Sequence, residues 1–243
     1  MGAPGGDGVI VLGIETATAH VGCAIGGHEG VLAEAASSRG RRHAETLTPM
    51  IDFVRRAARV ELSEISCIAV DVGPGLFTGL RVGIAAAKAI AHALRVPMIG
   101  VPSLDLLAFP VRFSTRRIVA CIDARRGEVF SAGYRQVPGG VQRLSEHRLS
   151  DPDDLAAELL AQREEVLLVG DGALRYREAF DGLSRVEVAD QGLAHPSASS
   201  LVQLAHAQAV REQFVPAGEL RPLYLRAPDA EIGWETRHGA VGR

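Results

Sequence analysis

The segment DVGPGLFTGLRVG, residues 71–83, is a glycine-rich turn between a predicted strand and a predicted helix, and these three elements indicate the fold class. The preceding run Ser66–Val72 is short and continuously apolar, which is typical of a strand covered on both faces. The pattern after the glycines predicts a helix from Thr78 to Leu94, and Pro97–Val101 is again a short apolar run. A strand, a helix and a second strand in this order predict a parallel pair joined by a crossover, and therefore an α/β fold.

The residues before this unit predict a three-stranded meander and one helix. The β-branched run Val9–Glu15 is followed by His20–Gly26 and Gly30–Ala36, and short turns separate the three. From Ala44 onward, apolar residues recur every three or four positions, which indicates one face of an amphipathic helix.

The residues after the unit repeat the pattern in a weaker form. Ile118–Ile122 and Glu128–Tyr134 predict a hairpin, and Val141–Leu149 predicts a third strand. A capped helix to Gln162, a strand at 166–169 and a helix at 197–214 follow. We therefore expect two related halves of mixed sheet flanked by helices, the second degenerate, with the following segments: a flexible leader at 1–8, an N-terminal half at 9–112 and a C-terminal half at 113–243.

Composition and charge exclude several classes of protein. The chain has 243 residues, 47% of them hydrophobic and 23% charged, which is ordinary for a globular protein. A net charge of −3 argues against nucleic-acid binding by this chain alone. The three cysteines, Cys23, Cys67 and Cys121, lack C-x-x-C spacing, and Val9–Ile14 is too short for a membrane span. We expect a cytoplasmic protein without membrane association.

Glycine-rich turns after predicted strands are candidates for phosphate binding. Such turns present backbone N–H groups at the start of a helix. However, no lysine follows Gly79, and Thr78 stands where a dinucleotide fingerprint has its third glycine. Close packing of the turn and phosphate binding therefore remain equally open. The candidate remnant of a nucleotide or phosphate site comprises Glu15, Thr16, Gly73, Gly75, Thr78, Gly79, Gly170 and Gly172.

The sequence has no pattern typical of a catalytic centre. No histidine has another histidine three or four residues away, so no helix offers the paired imidazoles that hold zinc or iron. A G-x-S-x-G motif and a Cys–His signature are also lacking. We therefore predict no catalytic residue and no metal ligand.

Several stretches together carry a resemblance to a known family. The sequence from Ile10 to about Glu235 resembles the TsaB (YeaZ) family. The matching stretches are Leu12–Thr18, Gly73–Gly83, Pro97–Leu107, Ile122–Phe130 and Pro222–Arg226. The resemblance implies the actin-like ATPase (ASKHA) fold, in agreement with the duplicated pattern of strands and helices.

The resemblance also implies a function. Members of the family bind a catalytic relative, TsaD, and the pair joins an ATPase, TsaE. The complex transfers threonylcarbamoyl to the adenosine next to the anticodon of tRNAs. The metal-binding histidines of the catalytic relative align with Ser103 and Leu107, which implies a non-catalytic subunit that needs no cofactor. Weak binding of ATP or ADP and a homodimer in the absence of partners remain open.

Family resemblance places the partner interface on the first two long helices. The second of these is apolar nearly all round, with Gly79, Gly83, Ala87 and Ala91 along one line. Such a helix suits both a core and an interface, and we expect a mixture of the two. The predicted interface residues are Leu47, Met50, Ile51, Val54, Leu80, Gly83, Ile84, Ala87, Ala91 and Leu94.

Two other classes of function remain as alternatives. An actin-like small-molecule kinase needs an acidic base and intact phosphate loops, of which only fragments are present. A glycoprotease-like metallopeptidase needs metal ligands, which the sequence does not offer in any recognised spacing.

Overall fold

The computed structural model describes residues 8–38 and 43–226. The leader predicted at 1–8 lies outside these residues except for Gly8. The division at 112/113 stays a prediction. Within the described residues, no helix is long and apolar enough to cross a membrane.

The first sheet, sheet A, confirms both the meander and the crossover. Its strand order is β3-β2-β1-β4-β5, in which β1, β2 and β3 pair antiparallel while β1, β4 and β5 pair parallel. Strands β1, β4 and β5 therefore end at the same edge, where polar side chains follow apolar strand residues. The strands are β1 (Val11–Glu15), β2 (Val21–Gly27), β3 (Gly30–Ser37), β4 (Cys67–Asp71) and β5 (Met98–Val101).

Helices cover both faces of sheet A. Helices α1 (His43–Ala58) and α2 (Phe77–Leu94) share one apolar core with residues of β1, β2 and β4. The opposite face packs against α7 (Ala198–Ala209) and Leu106 of α3 (Ser103–Ala108). Because α7 comes from the end of the chain, the C-terminal part of the sequence helps to build the core of sheet A.

The second sheet, sheet B, has the order β11-β10-β6-β7-β8, and β9 also pairs with β7. The hairpin of β6 and β7 confirms the predicted pair of strands. The single strand predicted at 141–149 is wrong, because the chain forms two strands that pair with different parts of β7. The strands are β6 (Arg117–Arg125), β7 (Glu128–Val137), β8 (Gly140–Arg143), β9 (Arg148–Ser150), β10 (Val166–Val169) and β11 (Val186–Val188).

Further helices flank sheet B together with α3, and several boundaries differ from the sequence pattern. The predicted helix to Gln162 is α4 (Pro152–Gln162), whereas the short helices α5 (Asp171–Arg175) and α6 (Arg177–Phe180) were not predicted. Helix α7 ends at Ala209 rather than at 214. The reason is tertiary: the amide of Val215 donates to the carbonyl of Met98 at 2.8 Å, so the chain turns back onto β5.

Candidate functional site

Two carboxyl groups end adjacent parallel strands of sheet A. Glu15 is the last residue of β1 and Asp71 is the last residue of β4, and the register pairs Ile14 with Val70 just before them. Glu15 is 0% exposed and Asp71 is 1% exposed. Buried carboxyl groups side by side at the carboxyl edge of a sheet are unusual, since both charges lose hydration there.

Asp71 holds the start of the glycine turn. Its Oδ1 atom accepts hydrogen bonds from Ser103 Oγ at 2.6 Å and from the amide of Gly73 at 2.8 Å. Its Oδ2 atom is buried without a hydrogen-bond partner. Burial raises the pKa of Asp71 to about 7, a rise that the charge of Asp105 increases and the two hydrogen bonds oppose. This carboxyl group therefore titrates near neutral pH.

Glu15 organises the turn after β1 in the same way. Its Oε1 atom accepts a hydrogen bond of 2.8 Å from the amide of Ala17, while Oε2 is buried and unpartnered. Burial raises the pKa of Glu15 well above its ordinary value, and the neighbouring charge of Asp71 raises it further. The two carboxyl groups thus disfavour each other's ionisation.

The two turns close on one another. The amide of Leu76 donates to the carbonyl of Ala17 at 2.7 Å, and Thr16 Oγ1 donates to the carbonyl of Gly79 at 2.8 Å. A Cβ atom built on Gly75 would lie 2.2 Å from the oxygen of Ala17. The turn therefore needs glycine for this close approach, and the Leu76 amide is not free for a phosphate.

The remaining residues of the predicted phosphate site lie in two separate places, the turn before α2 and the turn after β10. Gly73 has φ +100°, a backbone conformation that favours glycine, and Thr78 is exposed. Gly170 and Gly172 lie against β6, where a Cβ atom on Gly170 would be 2.1 Å from the oxygen of Cys121. Close packing of the backbone therefore explains why glycine stands at these positions, and phosphate binding stays a prediction.

A second pair of carboxyl groups lies at the carboxyl ends of β6 and β10. Asp171 Oδ1 accepts a hydrogen bond of 3.0 Å from the amide of Asp123. Asp123 in turn accepts from Tyr176 at 3.1 Å and forms an ion pair with Arg125 at 2.9 Å. Burial raises the pKa of Asp171 to about 6.

The predicted interface residues lie mostly inside the chain. Only Ile51 and Leu94 are partly exposed, because most of the others pack into the apolar core that α1 and α2 form with sheet A. The others are buried in the single chain, although Met50 and Ile84 keep 9% and 6% exposure, and the interface assigned to these residues stays a prediction. The eight buried residues are Leu47, Met50, Val54, Leu80, Gly83, Ile84, Ala87 and Ala91.

The opposite face of α2 is exposed and carries alanines together with polar and charged residues. Ala85, Ala89 and Ala93 follow one another at four-residue spacing on this face and are all exposed. Lys88 and Arg81 are the charged residues of the helix, apart from a histidine in its last turn. On α1, Phe53 is 58% exposed. Small apolar side chains on the exposed side of a helix are compatible with close contact to a partner.

The positions aligned with metal ligands of the catalytic relative have other roles. Ser103 is fully buried and hydrogen-bonded to Asp71, and Leu107 packs in the core of sheet B. In the ranges 8–38 and 43–226, no group of three or more His, Cys, Asp and Glu side chains could hold a metal ion.

Sequence reasoning missed four polar residues of these sites: Asp71, Ser103, Asp123 and Asp171. A usable signal was present for three of them, since each carboxyl group stands within two residues of the end of an apolar strand. Ser103 gave no such signal, because its role depends on a contact with Asp71 32 residues away.

Comparisons with known proteins identify the family. A family model described as "TsaD: tRNA N6-adenosine threonylcarbamoyltransferase" matches residues 25–234. The chain is 28% identical over 232 residues to the tRNA threonylcarbamoyladenosine biosynthesis protein TsaB of Escherichia coli, covering 94% of this chain and 98% of that protein. The chain belongs to the TsaB (YeaZ) family. YeaZ from Pseudomonas aeruginosa has the same fold, with a TM-score of 0.79 and 28% identity over 89% of this chain and all of that one.

A mycobacterial relative is more similar in sequence. An uncharacterised protein of Mycobacterium leprae is 36% identical over 226 residues, or 91% of this chain, which spans only 56% of that protein. Membership of the TsaB family connects the chain with the biosynthesis of tRNA threonylcarbamoyladenosine. The chain has the fold of YeaZ, a member of the family for which the resemblance implied an actin-like ATPase fold.

Proposed function

We propose that this chain is a non-catalytic subunit that binds and activates a TsaD-type transferase. The complex transfers threonylcarbamoyl to the adenosine next to the anticodon of tRNA. In this proposal the transferase supplies the metal and the chemistry, and the present chain supplies a docking surface.

The observation that carries this proposal is the row of exposed alanines on α2. The row comprises Ala85, Ala89 and Ala93 and continues into partly exposed Ala86 and Ile90. Small side chains allow a second helix to approach closely, while Arg81 and Lys88 on the same side of the helix stay available for polar contacts at the rim of an interface. The partner we propose is therefore an apolar helix pair of the TsaD-type subunit, and in its absence a second copy of this chain.

The environment of the glycine turn supports a role without catalysis. The amide of Leu76 and the hydroxyl of Thr16 are both engaged by backbone groups of the chain itself. We therefore propose that no cofactor is required and that ATP or ADP binds weakly at most. A TsaE-type ATPase and tRNA then act through the assembled complex, in the cytoplasm.

Reconstitution with purified proteins tests the proposal. The chain alone, the TsaD-type protein alone, and both together with the TsaE-type protein are supplied with threonylcarbamoyl adenylate and substrate tRNA. Modified adenosine is measured by mass spectrometry of digested tRNA. We expect product only with the complete set. Modification by this chain alone, or undiminished modification when it is omitted, would refute the proposal.

A further inference from the structure

Residues 220–226, called the C-terminal strap below, contact both sheets. Leu220 is buried in the core that α1 and α2 form with sheet A. Five residues later, Leu225 packs against the core of sheet B. Because this short segment packs into both cores, it connects sheet A with sheet B.

The middle of the strap lies against the glycine turn. The amide of Leu223 donates to the carbonyl of Val72 at 2.7 Å. The carbonyl oxygen of Leu223 lies 3.1 Å from where a Cβ atom of Gly73 would stand. Gly73 is held from its other side, because its carbonyl accepts a 2.9 Å hydrogen bond from the amide of Ser103. The start of the turn is therefore enclosed between the strap and α3.

Tyr224 attaches the strap to the first turns of α2. Its ring centroid lies 5.1 Å from that of Phe77, the first residue of the helix. The guanidinium of Arg81 lies 3.8 Å from the centre of the Phe77 ring, and its Nε atom donates to the Tyr224 hydroxyl at 3.3 Å. A tilted ring pair and a cation above one of the rings stabilise this contact even at a partly exposed surface.

Arg226 attaches the end of the strap to sheet B. One guanidinium nitrogen donates to the carbonyl of Ala124 at 2.7 Å, and the other forms an ion pair with Glu128 at the start of β7. Both side chains are partly buried, so the pair is less screened than a surface ion pair.

We propose that the strap is a clamp that fixes the glycine turn and the start of α2 relative to the β6–β7 hairpin, with Arg226 as its anchor. The turn is closed by contacts within the chain, and the clamp keeps it closed. The proposal rests on contacts within this chain, so it holds whether or not the chain binds a transferase.

Amide hydrogen exchange, followed residue by residue by NMR on the full chain, tests the clamp. Arg226→Ala removes both contacts to sheet B, and Glu128→Gln removes the ion pair from its other side. The matched control is Arg221→Ala, because Arg221 donates to the carbonyls of Gly218 and Leu220. The control thus loses an arginine of the same segment without losing a contact to sheet B.

We expect exchange at the amides of Gly73, Leu76 and Leu223 to become about tenfold faster or more in Arg226→Ala, with a smaller increase in Glu128→Gln and none in the control. Faster exchange at Leu223 alone would overturn the proposal, because the strap would then open without releasing the turn. Equal acceleration at all amides of both sheets would also overturn it, since it would mean a general loss of stability.

Discussion

The hydroxyl of Thr16 donates a hydrogen bond of 2.8 Å to the carbonyl oxygen of Gly79, across 63 residues of sequence. This bond joins the turn after β1 to the first turn of α2. One helical turn further on, a Cβ atom built on Gly83 would lie 2.1 Å from the same hydroxyl oxygen. The hairpin turn and the helix therefore pack as one unit, which needs a residue without a side chain at position 83.

Gly83→Ala should destabilise the chain although alanine favours helix more than glycine does. The added methyl group would displace Thr16, and we expect a loss of about 1–3 kcal/mol in the free energy of unfolding. Urea denaturation followed by circular dichroism measures the loss. The companion variant Thr16→Ala removes the obstructing oxygen, so Gly83→Ala should cost less in that background. Additive effects of the two substitutions would contradict this explanation.

Ala89→Arg should abolish binding of the TsaD-type partner without unfolding the chain. Ala89 lies on the exposed face of α2, where a long charged side chain meets only solvent in the single chain but would be buried in the complex. Co-purification of a tagged partner measures binding, and thermal unfolding checks the fold. Ala161→Arg on the exposed surface of α4 is the matched control. Full retention of the partner by Ala89→Arg would place the interface elsewhere.

Asp71→Asn should gain stability relative to the native chain as the pH rises. Burial raises the pKa of Asp71 from its ordinary value of 3.8 to about 7, so between these values the folded state holds a proton that the unfolded state has lost. The stability of the native chain from this group is complete below about pH 4 and decreases up to about pH 7, by at most about 1.4 kcal/mol per pH unit. Asparagine does not titrate, and its Oδ1 can still accept from Ser103 and Gly73.

Urea unfolding of both proteins at pH 5, 6, 7 and 8 measures this difference. The stability of Asp71→Asn minus that of the native chain should increase from pH 5 to 7 and then level off. Glu15→Gln is a second variant for this measurement, because Glu15 and Asp71 form one pair of buried carboxyl groups. The charge of Asp71 contributes to the raised pKa of Glu15. A difference that stays constant with pH would show that Asp71 is ionised in the folded chain throughout.

Sequence patterns predicted the parts of the fold that depend on local periodicity. The run before residue 72 and the helix after residue 77 were predicted to within a residue or two, because a strand buried on both faces is continuously apolar. The patterns could not show which side of α2 faces the sheet, since alanine is compatible with both sides. Eight of the ten predicted interface residues are therefore buried in the single chain.

Long-range contacts explain the other differences from the sequence predictions. Asp71 accepts a hydrogen bond from Ser103, which lies 32 residues further along the chain. In the strap, Arg226 contacts Glu128, which lies 98 residues before it. The local sequence pattern around Asp71 or Arg226 does not indicate these contacts. The end of α7 was also set by a distant strand, because Val215 pairs with Met98.

Nucleotide should bind weakly, because the groups that would hold a phosphate are already used. The amide of Leu76 is bonded to Ala17, and the carboxyl groups of Glu15 and Asp71 would repel a phosphate when ionised. Isothermal titration with ATP and magnesium should give a dissociation constant above about 1 mM. Thr16→Ala breaks the bond to Gly79 and loosens the turn, so it should bind ATP at least as well as the native chain. A dissociation constant of about 10 μM or less for the native chain would show that the closed turn opens at little cost, and would support a kinase-like site.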